Sequence, residues 1–241
     1  MPSRAVGGNR GLIGAPCRLQ SRKRGKRDAR MDQVQATMTL FASSRSPFVR
    51  KVLVAAHETG LAQRLKTRRV VVSANKPNPE VMAANPLNKI PTLLLADGTT
   101  LYDSRVICEF FDTLHAGPPL VPSEPSCRWQ ALRLQALGDG LMEVIIARLG
   151  ETNRPPATQS ATHLSSFRLK IAAVLDELEK RSTDWSGRLQ IGQIAVACAL
   201  AHLDFRFAAD DWRAGRSRLA AWYEDFAARP SMRATEYVDA Y

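Results

Sequence analysis

Three short stretches of the sequence place reactive or anion-binding groups at the start of a regular element. In SSRSPFV, Ser46 stands directly before Pro47, which suits the first turn of a helix. In YDSRV, the pair Asp103–Ser104 opens another amphipathic run, and in NKIPTL a proline follows Ile90 at the start of a strand. The start of a helix exposes unpaired N–H groups and a partial positive charge. Both helix starts are therefore candidate sites for a negatively charged group.

The hydroxyl of Ser46 has two possible roles. It can accept a hydrogen bond from the first turn as an ordinary N-cap, which spacing alone favours. It can also donate a hydrogen bond to an ionised thiol that lies beside it. A free thiol with a pKa near 8.5 is mostly protonated at neutral pH, and lowering that pKa by two units takes about 2.7 kcal/mol. One hydrogen bond to an anion contributes roughly 1.5 to 3 kcal/mol, which is the required size.

The elements that must position these groups alternate in type over residues 38–116. The hydrophobic pattern predicts a strand, a helix, a strand, a short helical turn, a hairpin and a closing helix. The dipeptide Asp97–Gly98 is typical of a two-residue hairpin turn, because both central residues must tolerate positive φ. This order describes a small mixed sheet with helices on its faces. The predicted bounds are residues 38–42, 47–59, 68–74, 81–84, 92–102 and 104–114.

The second half of the sequence is predicted to be an all-α bundle. The proline-rich stretch 117–127 is the predicted linker, and no strand pattern follows it. The third helix is nearly all apolar and is predicted to be the buried centre, with Gln193 reaching back to the amide of Gln190 at its start. A kink is predicted in the first helix, at the GDG of residues 138–140. The predicted helices are 127–152, 165–181, 191–207 and 217–229. The apolar side of the second helix is predicted to consist of Leu169, Ala172, Ala173, Leu175 and Leu178.

The positive charge of the chain is concentrated in its first residues. Residues 1–37 contain nine basic and two acidic residues, which leaves +4 of the total +11 for the rest. This extension lacks periodicity, and we expect it to be disordered. It is open to three interpretations: a basic arm for nucleic acid or acidic partners, a targeting segment, or an upstream extension without a folded role. We favour the last, because two further methionines precede the first strand.

The four cysteines predict neither a metal site nor a disulfide framework. They are scattered, and the four histidines do not cluster with them at ligand spacing. Free thiols in a reducing compartment are expected, and we predict a cytoplasmic protein. No run approaches the roughly 18 apolar residues of a membrane span, so no membrane contact is predicted. The cysteines are Cys17, Cys108, Cys127 and Cys198.

The sequence resembles the cytosolic glutathione S-transferases in the order of three motifs. These are the Ser-Pro helix start, the Ile-Pro before the hairpin and the Asp-Ser after it. The resemblance is closest to their bacterial serine-type members, whose first helix opens with a sequence near SPFVRKV, and it covers residues 38–241. It implies an α/β thioredoxin-like domain, with a mixed four-stranded sheet and helices, followed by an all-α C-terminal bundle. The implied divisions are 1–37 (extension), 38–116 (glutathione-binding domain), 117–127 (linker) and 128–241 (all-α domain).

The resemblance implies that glutathione is the co-substrate and that Ser46 stabilises its thiolate. Ser43 and Ser44 are rivals, since either reaches the sulfur if the loop differs by one turn. Pro91 resembles the family's cis-proline, and such a bond lets the backbone of Ile90 pair with the cysteinyl part of glutathione.

The γ-glutamyl and glycine ends of glutathione have their own implied partners. Ser104 takes the γ-glutamyl carboxylate, and Asp103 lies near the amine. Lys89 is expected to pair with the glycine carboxylate as a point charge, with a solvated surface lysine as the alternative.

The electrophile is expected between the two halves, where it would contact the long helix at Met142, Ile145 and Ile146. Arg50 and Lys51 are expected to pair with nearby carboxylates. Four large aromatic residues are predicted in the bundle core: Trp129, Phe205, Trp212 and Trp222.

Three functions follow from these interpretations. The first is a glutathione transferase, a homodimer by resemblance, in which thiolate attacks a small hydrophobic electrophile. Serine at position 46 disfavours direct mixed-disulfide chemistry. The second is a non-catalytic binding or regulatory module on the same scaffold, associated with stress, transcription or translation. The third is nucleic-acid binding through the basic extension.

Overall fold

The computed structural model describes residues 37–73, 76–182, 185 and 187–239. Its first half contains one four-stranded sheet in the order β2-β1-β3-β4. β1 pairs with β2 in parallel and with β3 antiparallel, and β3 pairs antiparallel with β4. The predicted mixed sheet is confirmed, whereas residues 1–36 of the predicted extension lie outside the described residues. The strands are β1 Met38–Ala42, β2 Leu65–Arg69, β3 Thr92–Leu94 and β4 Thr100–Leu101.

The helices divide between the two halves as the pattern predicts. Three belong to the first half: α1 Pro47–Glu58, α2 Pro79–Ala84 and α3 Ser104–Phe111. Five form the helical half: α4 Pro125–Thr152, α5 Ala161–Arg181, α6 Ile191–Phe207, α7 Ser217–Ala227 and α8 Pro230–Arg233.

The two faces of β1 bury different partners because successive side chains point to opposite faces of a strand. Leu40 is fully buried in the large core that also contains residues of α1, α3 and the helical half. Phe41 packs on the other face in a small cluster with Val70 and Val81. The sheet is therefore covered by α1 and α3 on one face and by α2 on the other.

Two predicted β segments differ from the structure in register and extent. The second strand ends at Arg69 instead of spanning 68–74, because its partner β1 ends opposite it at Ala42. Val70 makes one further backbone bond, its N–H to the carbonyl of Ala42 at 2.9 Å. In the hairpin, the loop has three residues, since Leu95 N–H bonds the Thr99 carbonyl and only Gly98 has positive φ, at 87°.

The long helix α4 is continuous through residues 138–140, where a kink was predicted. Gly138 serves a different purpose: a Cβ there would lie 2.7 Å from backbone atoms of Ala195 and Val196. Gly192 of α6 is equally close to α4, where a Cβ would lie 2.6 Å from the Cβ of Leu134. The glycines let the backbones of α4 and α6 approach each other more closely than larger residues allow.

Two side-chain placements in the helical half correct the predictions. The buried face of α5 consists of Ile171, Leu175 and Leu178. Leu169 was predicted on that face but is 73% exposed, because it lies two residues from Ile171 and so points to a different side of the helix. Trp129 was predicted in the core but is 68% exposed near the start of α4.

Helix α6 is the buried centre of the helical half, as its composition predicts. The Oε1 of Gln193 accepts a hydrogen bond from the backbone N–H of Gln190 at 2.7 Å, as expected for this helix start. By length and composition, Ile191–Asp210 is the one segment of the described residues that meets the criteria for a membrane span. Most of this segment is buried inside the protein, and a core helix meets the same criteria.

Candidate functional site

An open cleft of about 1200 Å³ lies between the sheet half and the helical half. One wall, which we call the peptide wall, consists of the loop before α1, the segment before β3 and the start of α3. The other, the helical wall, is formed by one side of α4 and the end of α6. The peptide wall includes Ser43, Ser46, Lys89, Ile90, Pro91, Asp103 and Ser104, and the helical wall includes Glu143, Ile146, Ala147, His202 and Arg206.

Ser46 lies on the peptide wall and also caps α1. Its Oγ accepts a hydrogen bond from the N–H of Val49 at 3.3 Å, and Pro47 occupies the first turn. A hydroxyl has two lone pairs and one proton, so accepting this bond leaves the proton available to another group. The cap and a donor role toward a ligand are therefore compatible.

The two neighbouring serines differ in how their hydroxyls are used. Ser43 Oγ accepts from the N–H of Arg45 at 3.3 Å, and Ser43 also lines the cleft. Ser44 Oγ donates to the carbonyl of Val238 at 2.8 Å, which uses its one proton. Ser44 is not among the residues that line the cleft. The geometry thus favours Ser46 and Ser43 over Ser44 as donors to a ligand.

The Ile90–Pro91 peptide is cis, as the resemblance implies. The turn that leads to it is held by Asn85, a buried residue whose Nδ2 donates to the Lys89 carbonyl at 3.1 Å and to Thr92 Oγ1 at 3.0 Å. These bonds fix the backbone on both sides of the bend. Ile90 and Lys89 both lie on the cleft, and the Lys89 side chain is exposed.

Asp103 and Ser104 form the start of α3 on the same wall. The Oδ1 of Asp103 accepts from the N–H of Arg105 at 2.9 Å, which makes Asp103 the N-cap. Ser104 is 1% exposed, yet it lines the cleft. This helix start presents backbone N–H groups and a hydroxyl to a bound anion.

A buried ion-pair network joins the helix starts of the peptide wall to α4. Lys51 of α1 and Asp139 of α4 are both buried, and Nζ lies 2.6 Å from Oδ1. Arg105 of α3 reaches the other oxygen of Asp139 at 2.8 Å. Lys51 therefore pairs with a carboxylate as expected, whereas Arg50 donates to the carbonyl of Met232 at 3.0 Å.

Only one of the three residues proposed to contact the electrophile reaches the cleft. Met142 and Ile145 are fully buried in the core, so they cannot contact a ligand as the sequence suggested. Ile146 lines the cleft and is 41% exposed. Ile145 and Ile146 are consecutive residues of α4, so their side chains point about 100° apart around the helix, and one lies in the core while the other lies at the cleft. The cleft face of α4 instead presents Glu143 and Ala147 beside Ile146.

The C-terminal segment closes over the loop before α1, a contact that was not predicted from the sequence. Val238 and Ser44 exchange two hydrogen bonds, from Ser44 Oγ at 2.8 Å and from Val238 N–H at 3.4 Å. Asp239 forms an ion pair with Arg45. Tyr237 donates to the carbonyl of Cys198 at 3.1 Å. No local pattern in these last residues signals the contact, which joins positions almost two hundred residues apart.

Two residues at the end of α6 were not predicted from the sequence. His202 is 1% exposed and lines the cleft, and neither ring nitrogen has a hydrogen-bond partner within the described part of the chain. Burial, together with the positive charges of Arg206 and Arg50, lowers the pKa of His202 to about 3. Arg206 lines the same part of the cleft and stacks on Phe205, with its guanidinium carbon 4.0 Å from the ring centroid.

The three cysteines among the described residues are not reactive groups of this site. Burial raises the pKa of Cys108 and of Cys198 to about 12. Cys127 is exposed and lies outside the cleft. Across the described residues, no group of three or more His, Cys, Asp or Glu side chains is clustered closely enough to hold a metal ion.

Comparisons with known proteins place both halves in one family. Residues 45–114 match the glutathione S-transferase N-terminal domain, and residues 156–225 match the glutathione S-transferase C-terminal domain. The GST-like protein YibF of Escherichia coli K12 is 32% identical over 202 residues, which cover 83% of this chain and 98% of YibF. A stringent starvation protein A homolog of Coxiella burnetii is 31% identical over 94 residues, which cover 39% of this chain and 43% of the homolog.

A solved structure extends the likeness to the whole described fold. A glutathione transferase family member from Pseudomonas fluorescens Pf-5, crystallised with bound glutathione, is 41% identical with a TM-score of 0.82. The match covers 84% of this chain and all of that one. With both domain families matched and the architecture shared, the chain belongs to the glutathione S-transferase family.

Proposed function

We propose that the protein is a glutathione transferase of the serine type, in which Ser46 stabilises the thiolate of bound glutathione. One observation carries this proposal: the Ser46 hydroxyl caps α1 with a lone pair, keeps its proton, and faces the same cleft as Ile90 and Ser104. A hydrogen bond to the ionised sulfur lowers the pKa of the thiol, and the partial charge of the α1 start acts in the same direction.

The other groups of the peptide wall match the parts of an extended tripeptide. Ile90 offers its backbone N–H and C=O to the cysteinyl residue beside the cis Pro91. Ser104, at the start of α3, takes the γ-glutamyl carboxylate, and Asp103 lies near the amine. Lys89 is exposed at the edge of the cleft and pairs with the glycine carboxylate.

The reaction is attack of the thiolate on a small electrophile held against Ile146 of the helical wall. The sulfur lone pair forms the S–C bond, and a leaving group departs with its bonding electrons or a π pair moves onto the substrate. The protein contributes orientation and stabilisation of the thiolate. Serine forms no disulfide, so thiol exchange through residue 46 is excluded by its chemistry.

The quaternary structure and location that we propose follow the family. Trp129 and Val106, on α4 and α3, are exposed large apolar residues, and a homodimer would cover them. Arg128 and Glu109 form an ion pair at 2.8 Å that joins these two helices into one surface. The free thiols fit a reducing, cytoplasmic location.

The likeness to stringent starvation protein A homologs supports a second candidate, a binding module without catalysis. That likeness covers less than half of either chain. The two candidates differ in one measurable property, since a catalytic member must bind glutathione and ionise its thiol.

Isothermal titration calorimetry with glutathione tests the proposal on the full chain, Ser46→Ala and Ser104→Ala. We expect Ser104→Ala to weaken binding about tenfold, the effect of losing one hydrogen bond to a charged group. We expect Ser46→Ala to retain binding but to raise the pKa of the bound thiol, read from thiolate absorbance against pH. Ser43→Ala is the matched control, and a rise in thiol pKa confined to that variant would move the role to Ser43.

Absence of glutathione binding by the full chain at millimolar concentration would favour the module over the enzyme. Binding together with an unshifted thiol pKa would also contradict the role of Ser46. Size-exclusion chromatography with light scattering of Trp129→Glu against the full chain tests the homodimer.

A further inference from the structure

The helical wall of the cleft ends in a positively charged corner formed by Arg206 and Arg45. Both residues line the cleft, and Arg45 directly precedes Ser46. The guanidinium carbon of Arg206 lies 4.0 Å from the centre of the Phe205 ring, a contact that restricts the position of the charged group. Burial, together with the charge of Arg45, lowers the pKa of Arg206. Two cations thus share a partly enclosed space beside the residue proposed to hold the sulfur.

Asp239 does not saturate the positive charge of Arg206. Asp239 forms a close ion pair with Arg45, but its Oδ1 lies 3.7 Å from the nearest nitrogen of Arg206, beyond hydrogen-bond distance. The Asp239 side chain is 56% exposed, so water screens its charge. Arginine has five N–H donors in a fork that matches a carboxylate. Arg206 therefore retains capacity for an anion that enters from the cleft.

His202 provides a second, independent indication of a ligand at this corner. Buried polar groups normally have hydrogen-bond partners, and each one that lacks a partner needs an explanation. The ring of His202 lines the cleft, and both of its nitrogens are buried without a partner among the residues that the structure describes. The neutral imidazole has one N–H to donate, and a ligand oxygen in the cleft would satisfy it.

We infer that the electrophilic substrates of this protein contain a carboxylate, which Arg206 and His202 bind while the reacting carbon faces the sulfur at Ser46. The inference rests on the proposed function and specifies its substrate class. In the simplest case, the thiol proton goes to solvent and the sulfur lone pair forms the S–C bond. The halide of a halogenated carboxylate leaves with the electron pair of the broken C–halogen bond. Ile146 and Ala147 contact the apolar part of the same molecule.

A matched pair of glutathione conjugates tests the inference without requiring turnover. S-(4-carboxybenzyl)glutathione and its 4-carbamoyl counterpart have nearly the same shape and differ by one charge. Calorimetry on the full chain is expected to show tighter binding of the carboxylate by about 10- to 100-fold, the worth of a charge-assisted hydrogen bond. Arg206→Gln should abolish that preference.

Three further variants separate a specific contact from a general effect of charge. Arg168→Gln removes one exposed positive charge from α5, outside the cleft, and should leave the preference intact. His202→Leu should lower the preference about tenfold or less, since a neutral donor contributes less than a charged one. Asp239→Asn removes the competing carboxylate and should increase the preference.

The outcomes distinguish this inference from the proposed function. Equal binding of the two conjugates, or a preference that survives Arg206→Gln, overturns the inference while glutathione binding still supports the transferase. Failure to bind either conjugate or glutathione overturns the proposed function, and the inference falls with it. A preference lost in both Arg206→Gln and Arg168→Gln reflects net charge alone and also overturns the inference.

Discussion

The two walls of the cleft present their chemical groups in different ways. The peptide wall offers backbone groups and short side chains at the starts of α1 and α3, where Ser46 and Asp103 are also the caps of those helices. The helical wall offers long side chains, Ile146, His202 and Arg206, from the middle and end of two helices. The first wall suits a ligand with a constant peptide backbone, and the second suits a ligand recognised by its charge and shape.

The difference between the walls shows how one fold separates a fixed task from an adjustable one. Changing a residue such as Ser104 also disturbs the helix start that it belongs to. The side chains of the helical wall can be exchanged with less effect on secondary structure, because they do not terminate an element. In the proposed function, the peptide wall holds glutathione and the helical wall selects the electrophile.

The largest expected effect comes from breaking the network that joins the walls. Asp139→Asn leaves Lys51 buried without a countercharge, and removing one partner of a buried pair costs about 3 to 5 kcal/mol. The free energy of unfolding, measured by urea denaturation, should fall by this amount.

The matched control is an exposed ion pair of the same helix α4, between Arg133 and Glu177 of α5 at 3.3 Å. Arg133→Gln should change the free energy of unfolding by less than about 1 kcal/mol, as exposed pairs do. If Asp139→Asn has no larger effect than Arg133→Gln, the network does not hold the walls together.

An intermediate effect is expected from His202, as a dependence of stability on pH. Its folded pKa of about 3 lies below the unfolded value, so the unfolded chain binds the additional proton first. The free energy of unfolding is therefore unaffected by His202 above about pH 6.5. Below that pH it falls by up to about 1.4 kcal/mol per pH unit as the pH drops toward 3. His202→Leu should remove this slope from urea denaturation curves.

Comparing the pH dependence of unfolding of the full chain with that of His202→Leu separates the contribution of His202 from that of carboxylates that titrate in the same pH range. Glu58, for example, has a pKa lowered chiefly by its hydrogen bond from Arg229 and contributes equally to both curves. Identical slopes for the full chain and His202→Leu would show that the imidazole is not held neutral beside Arg206 and Arg50.

The smallest expected effect concerns the C-terminal segment that contacts the loop before α1. Tyr237→Phe keeps the ring stacked on Phe205, with centroids 4.9 Å apart, and removes the hydroxyl that bonds the Cys198 carbonyl. The free energy of unfolding should fall by about 1 kcal/mol. Tyr237→Ala also removes the stack and the contact with Arg50, so its effect should be larger. Equal effects of the two variants would contradict a contribution from the ring.

The peptide wall was largely predictable because its signals are local. A serine before a proline, an Asp-Ser helix start and an Ile-Pro before a strand each occupy two or three adjacent residues. Caps and turns depend on the residues beside them, so a short stretch is enough to indicate them. The family resemblance added the order in which these stretches occur.

The electrophile contacts were predicted less well. Hydrophobic periodicity indicates which residues share an apolar side of a helix, but not which of them meet the core and which meet the cleft. Met142, Ile145 and Ile146 are all apolar and close in sequence, yet of these three only Ile146 faces the cleft. The GDG sequence was interpreted as a kink, whereas Gly138 allows close packing with α6 and Asp139 binds Lys51. Both roles require knowledge of which helix lies opposite.

Short-range preferences in the chain are enough to specify the alternation of strands and helices, the helix starts of the peptide wall and the apolar centre α6. Only the folded arrangement brings Arg45, His202, Arg206 and Asp239 into one corner of the cleft, because charges so distant in sequence interact only after α1 and the C-terminal segment have packed against α6. Local hydrogen bonding acts over a few residues, whereas electrostatic and packing interactions depend on distances that the tertiary structure defines.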